Sequence, residues 1–86
     1  PGVLMIEAAA QSAGALIGAK RGENDPVPFS LAQVSDFRMK RPVLPGQTLE
    51  ISVTLDREFG GLCTFKARLR VEDTTVAAGS VTLNTT

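Results

Sequence analysis

From Val3 to Ala19 the chain offers only three polar side chains, Glu7, Gln11 and Ser12. A surface helix carries a wide charged face, whereas a helix over this run is apolar on nearly every side. The run therefore predicts a buried helix with one acid in it. An isolated buried carboxylate is costly, and acids held in such places are often held for chemistry. Glu7 is the candidate acid. Gln11, four residues on, shares its helical face and is placed to orient a carboxyl group.

Composition narrows what such a helix can belong to. At 86 residues the chain makes one small domain, close to the size at which a single core is only just sufficient. A hydrophobic share of 43% is that of a globular protein rather than a disordered one. Nine basic and nine acidic residues balance, so no footprint for nucleic acid or a membrane surface is visible. The apolar run is borderline for a membrane span, but its Gly, Ala, Glu and Gln content favours a core helix. It has no basic n-region, and so does not read as a signal peptide. The lone Cys63 has no disulfide partner, which favours a reducing compartment such as the cytoplasm.

Pro1 suits the first turn of a helix, which should run to about Ala19. Lys20 and Arg21 fall at its negative end, and Gly22 is its stop. The turn formers of Gly22–Pro28 predict an exposed loop. From Phe29 the period changes to that of strands. Strict alternation puts Leu31, Gln33, Ser35, Phe37 and Met39 on one face, and Ala32, Val34, Asp36, Arg38 and Lys40 on the other. Pro42 and the turn at Leu44-Pro45-Gly46 end this strand. Leu49, Ile51, Val53 and Leu55 then alternate with Glu50, Ser52, Thr54 and Asp56. A hairpin turn at Gly60-Gly61 leads to Cys63, Phe65, Ala67, Leu69 and Val71 on one face of a third strand. A second turn, at Asp73-Thr74, precedes a last strand over Thr75–Leu83 with Ala77, Gly79, Val81 and Leu83 together. Half-polar strands joined by tight turns predict an antiparallel sheet with one covered face. The sheet should wrap the helix, and any helix surface left over should meet a second subunit.

Two blocks, PGVLMIEAAAQ and FRMKRPVLPGQTLEI, followed by a hairpin of matching character, resemble the 3-hydroxyacyl-[acyl-carrier-protein] dehydratases of fatty-acid synthesis. The resemblance covers nearly the whole chain. It implies an α+β hotdog fold, a curved antiparallel sheet around a long central helix, with residues 1–86 as a single domain. In that family the catalytic pair is a histidine just upstream of the Pro-Gly and an acid one turn into the helix. Glu7 falls on the acid position. This sequence has no histidine at all and starts with Pro1 rather than Met, so the expectation is a domain lacking its N-terminal segment. The resemblance further implies no cofactor and no metal, and an acyl-carrier-protein or coenzyme A thioester as substrate. It implies neither nucleic acid nor membrane as partner, and a homodimer with shared sites, often assembled as a trimer of dimers.

Dehydration of a 3-hydroxyacyl thioester requires loss of a weakly acidic C2 proton and departure of hydroxide. A neutral imidazole can take the proton, and a carboxyl group can assist the hydroxyl. Burial would favour the proton-donating form of Glu7, and hydrogen bonds to the carboxylate would oppose it. By resemblance, Gly2 is the oxyanion donor, through a free N–H at the helix start.

Plainer readings stand beside these. Glu7 could be a first-turn acid that complements the helix dipole, Gln11 a structural partner, and Gly2 a means of tight entry to the helix. Cys63 reads as a small core residue. Lys20, Arg21, Arg38, Lys40 and Arg41 could attract an acidic carrier protein or could simply be solvated. Phe37, Met39 and Phe65 could line an acyl tunnel or pack the core. Two other functions remain open: a hotdog thioesterase in which the acid activates water, and a non-catalytic hotdog protein for binding or assembly. With one cysteine and no histidine, a zinc site of the usual ligands cannot be built from this chain. It also has no Gly-rich phosphate loop.

Overall fold

A computed structural model describes residues 2–22 and 28–85. One helix, α1 (Gly2–Lys20), precedes four strands: β1 (Ser30–Met39), β2 (Glu50–Phe59), β3 (Leu62–Val71) and β4 (Thr74–Asn84). The strands form one antiparallel sheet in the order β1-β4-β3-β2, and α1 packs on one of its faces. The fold is α+β. Pro1 and residues 23–27 of the expected loop lie outside the described residues.

The helix ends where its stop signal stands. Gly22 takes φ 73, the left-handed conformation that glycine adopts without steric cost. The Arg21 N–H donates to the Ile17 carbonyl at 3.0 Å and the Gly22 N–H to the Ala19 carbonyl at 3.1 Å, closing the last turn. Lys20 is the basic residue of that turn.

The sheet's inner face is the one the alternation foretells. Cys63, Phe65, Ala67 and Leu69 of β3 lie beside Leu83, Val81, Gly79 and Ala77 of β4. Phe65, Leu69, Val81 and Leu83 are wholly buried. Burying side chains of this size contributes about 1.5–3 kcal/mol each. Met5, Ala9, Ala10, Ala13 and Ile17 close the core from the helix side. Small residues there let the helix lie close. A Cβ on Gly14 would stand 2.6 Å from Cε1 of Phe29, whose ring packs on the helix backbone.

Strict alternation fails in β1. Bulges between Leu31 and Gln33 and between Ser35 and Arg38 shift its register against β4. Leu31, Val34 and Met39 therefore pair with the core residues Leu83, Val81 and Ala77, while Gln33, Ser35 and Arg38 pair with Thr82, Ser80 and Ala78. Asp36 sits at φ 53 inside the second bulge, and Phe37 is pressed onto Gly79. Each extra residue flips the faces downstream of it, which period-2 counting cannot show. The β3–β4 turn is likewise one residue earlier than expected, at Glu72-Asp73, with Val71 opposite Thr74.

β1 and β2 are the two edges of the sheet, so the 40–49 connection crosses its width. The Lys40 and Arg41 N–H groups anchor it by donating to the Val76 carbonyl, at 2.7 and 3.2 Å. The turn at Leu44-Pro45-Gly46 forms as expected. Gly46 takes φ 88, and the Gln47 N–H donates to the Leu44 carbonyl at 3.2 Å. This leads the chain back past the start of α1.

Candidate active site

The helix is not buried on every side. Met5, Ala9, Ala13 and Ile17 recur every four residues on the sheet side, and all are buried. Leu4, Glu7, Gln11, Ala15 and Ala19 recur every three or four residues on the other side, and all are exposed. One four-stranded sheet covers one stripe of a helix, and alanines on the far stripe conceal the division from any reading of hydrophobicity. Glu7 is therefore exposed in the single chain, which corrects the expectation of a buried acid.

Glu7 and Gln11 are brought together. The Gln11 amide donates from Nε2 to Glu7 Oε1 at 3.0 Å, across one helical turn. Both amide hydrogens of Gln11 lie on one nitrogen, so one remains free to reach a neighbouring group. Glu7 lies beyond the first turn of α1, which holds no acid. Dipole effects fade within that turn, so complementing the dipole does not explain Glu7. Gly2 opens the helix, among the N–H groups that have no intrahelical acceptor.

An apolar cleft of about 230 Å³ lies one turn before Glu7, between Leu4 and Met5 of the helix and Val43 and Leu49 of the crossing connection. Leu4, three residues before Glu7, is 65% exposed beside it. The sequence signal for this cleft was the i, i+3 spacing of Leu4 and Glu7. Its far wall was invisible, because the closeness of Val43 to the helix is a product of sheet order.

The other singled-out residues lie elsewhere. Phe65 is buried in the core, Phe37 packs on Gly79, and Met39 is 44% exposed on the edge strand. Lys20, Arg21, Arg38, Lys40 and Arg41 are exposed, and Arg21 donates to Thr85 Oγ1 at 3.4 Å. Cys63 is buried and donates from Sγ to Glu58 Oε2 at 3.5 Å. Burial, and then the Glu58 carboxylate, push its thiol above the ordinary range, so it is a core residue and not an activated nucleophile. Among the described residues, no helix is long and apolar enough to cross a membrane.

Residues 1–80 match the FabA-like domain family. The chain belongs to that family. Proteins named 3-hydroxyacyl-[acyl-carrier-protein] dehydratase FabZ align with nearly all of it. The one from Agrobacterium fabrum is 38% identical over 81 residues, covering 94% of this chain and 52% of its own length. Those from Herpetosiphon aurantiacus and an Acidovorax species are each 41% identical, covering 94% of this chain and 57% of their own lengths. The chain thus spans about half the length of the curated relatives it matches. Its FabA-like hotdog architecture, a long helix laid on an antiparallel sheet, is the one the two sequence blocks implied.

Proposed function

We propose that this chain is the acid-bearing part of a 3-hydroxyacyl-[acyl-carrier-protein] dehydratase, a hydro-lyase that forms the trans-2-enoyl thioester in fatty-acid biosynthesis. The observation that carries the reading is the oriented carboxyl of Glu7, held by Gln11 at 3.0 Å on the open face of α1. Family membership and the names of the aligned relatives support it.

In this reading a base takes the C2 proton of the thioester, and negative charge develops on the thioester oxygen. The Gly2 N–H, at the positive end of α1, stabilises that charge. The C3–O bond breaks as Glu7 gives a proton to the departing hydroxyl, which leaves as water. Gln11 is a positioning residue that fixes the carboxyl. The sequence contains no histidine, so the base comes from outside these 86 residues.

A second copy seated on the exposed stripe Leu4–Glu7–Gln11–Ala15 would exclude water from the carboxyl and complete the site. The chain would then act as a homodimer, as a trimer of dimers in larger assemblies, in the cytoplasm. The thioester would be presented by an acyl carrier protein, the carrier printed in the relatives' name.

The test is turnover of a 3-hydroxyacyl thioester by the complete gene product, followed by absorbance of the conjugated enoyl product and by release of free thiol. Enoyl product without free thiol is the expected result. Free thiol without enoyl product would make the protein a thioesterase. Neither product would leave a hotdog protein that only binds or assembles.

A further inference from the structure

A second cleft, of about 310 Å³, lies between the 40–49 connection and the β3–β4 turn, and it shares no lining residue with the one beside Leu4. Backbone pairing builds it. The Arg41 N–H donates to the Val76 carbonyl at 3.2 Å, which seats the connection against β4, and Val71 pairs with Thr74 to close the turn. The buried Val71 and Val76 give the cleft an apolar floor, and Leu44 adds an aliphatic wall. Its polar lining is divided. The connection supplies donors, Arg41 and Gln47, whereas the turn supplies acceptors, Glu72 and Thr74, and all four are exposed. Gln47 Oε1 accepts from the Leu44 N–H at 2.8 Å, which leaves both amide hydrogens of Gln47 to donate. Arg41 and Glu72 bring opposite charges to one cleft, yet they pair neither with each other nor with another described residue. Glu72 holds its place at φ 50, a left-handed conformation that strains a glutamate. Outliers of this kind gather at ligand clamps, where the side chain is needed in spite of the strain.

We propose that this cleft binds a zwitterionic α-amino acid with an aliphatic side chain. The ligand's carboxylate accepts from the Arg41 guanidinium and the Gln47 amide. Its ammonium donates to the Glu72 carboxylate and the Thr74 hydroxyl, and its side chain lies on Val71, Val76 and Leu44. Such a ligand matches the cleft in sign and in size, because about 300 Å³ is the small end of ligand sites. A nucleotide would set its phosphates against Glu72 and would find no aromatic ring in the lining for its base. Glu7 takes no part in this cleft, so the site does not rest on the dehydratase reading.

The test is equilibrium dialysis of radiolabelled L-leucine against the complete gene product, with unlabelled competitors. Leucine should bind at one site per chain. Isocaproate, which lacks the ammonium, and isoamylamine, which lacks the carboxylate, should each compete about tenfold or more weakly than leucine. Glycine, with nothing to lay on the apolar floor, should compete as poorly. Arg41→Gln and Glu72→Gln should each weaken leucine binding about tenfold or more. Arg41→Gln should not weaken isoamylamine, nor Glu72→Gln isocaproate, which shows that each variant is folded and has lost only its own end of the ligand. Lys20→Ser, at the far end of α1, should leave leucine binding unchanged. No binding of leucine, equal competition by either one-charge analogue, or full affinity in either glutamine variant overturns the proposal.

Discussion

Gln11 Nε2 stands 3.0 Å from Glu7 Oε1 on the exposed stripe of α1. As a contribution to stability, a solvated i, i+4 pair is worth only about 0.2–0.5 kcal/mol. Its consequence is a carboxyl held in one orientation. In the complete protein, Glu7→Gln should lower enoyl formation by about 10²–10⁴-fold, the usual share of a general acid, with the circular dichroism spectrum unchanged. Gln11→Ala should lower kcat by about tenfold or more with little change in Tm, as expected for loss of a hydrogen bond to a carboxyl group. Gln11→Glu is the sharper variant. Two carboxyls this close resist ionising together, so the pH profile of turnover should move to higher pH. A purely structural Gln11 would leave that profile where it was.

Gly79 is fixed by Phe37. A Cβ at Gly79 would run into Cα and Cβ of Phe37, backbone and near-backbone atoms that cannot swing aside. Gly79→Ala should therefore cost about 1–3 kcal/mol, the usual range for overpacking. In urea the midpoint should fall with the slope unchanged. A midpoint equal to that of the parent chain would mean that the β1 bulge is not seated on β4.

That bulge marks the limit of what the sequence discloses. The helix stop at Gly22, the first hairpin, the second to within one residue, and the core faces of β3 and β4 were legible, because each rests on contacts near in sequence. Glu7 and Gln11 were legible for the same reason, as neighbours on one helical turn. The faces of β1 were not, since its extra residues are set by pairing with β4, roughly forty to fifty positions away. Nor was the exposure of Glu7. Alanine suits a buried stripe and an open one equally, and only the sheet's order shows which stripe of α1 is covered. The Val43 wall of the cleft beside Leu4 is hidden likewise, since the 40–49 connection approaches the helix only because β1 and β2 are opposite edges.

The β3–β4 turn can be improved. Glu72 and Asp73 sit at φ 50 and 66, so both central residues are left-handed, the type I′ arrangement that prefers Asn-Gly. Aspartate tolerates this conformation better than glutamate. Relief of the left-handed strain exceeds the entropy that glycine costs, so Asp73→Gly and Glu72→Asn should each stabilise the chain by up to about 1 kcal/mol, raising Tm by a few degrees. Scanning calorimetry of the single and double variants checks this. Unchanged or lower values would place the turn in another conformation.

Cys63 ties stability to pH on the alkaline side. Burial raises its thiol, the hydrogen bond to Glu58 and that carboxylate's charge raise it further, and Arg21 opposes them. A thiol ionises to a charged form, so a raised value means that the folded chain keeps the proton longer than the unfolded one. The folded state then binds more protons than the unfolded state above the ordinary thiol range of about 8.5. Stability from this source is complete below that pH and is lost as pH rises through the folded value. Urea midpoints measured from about pH 7 to 10 should therefore fall more steeply for the parent chain than for Cys63→Ala. A thiol this buried should also react with an aromatic disulfide reagent only as fast as the chain opens. Rapid labelling of the folded chain at neutral pH, together with parallel pH slopes for the two proteins, would show Cys63 to be an ordinary accessible thiol.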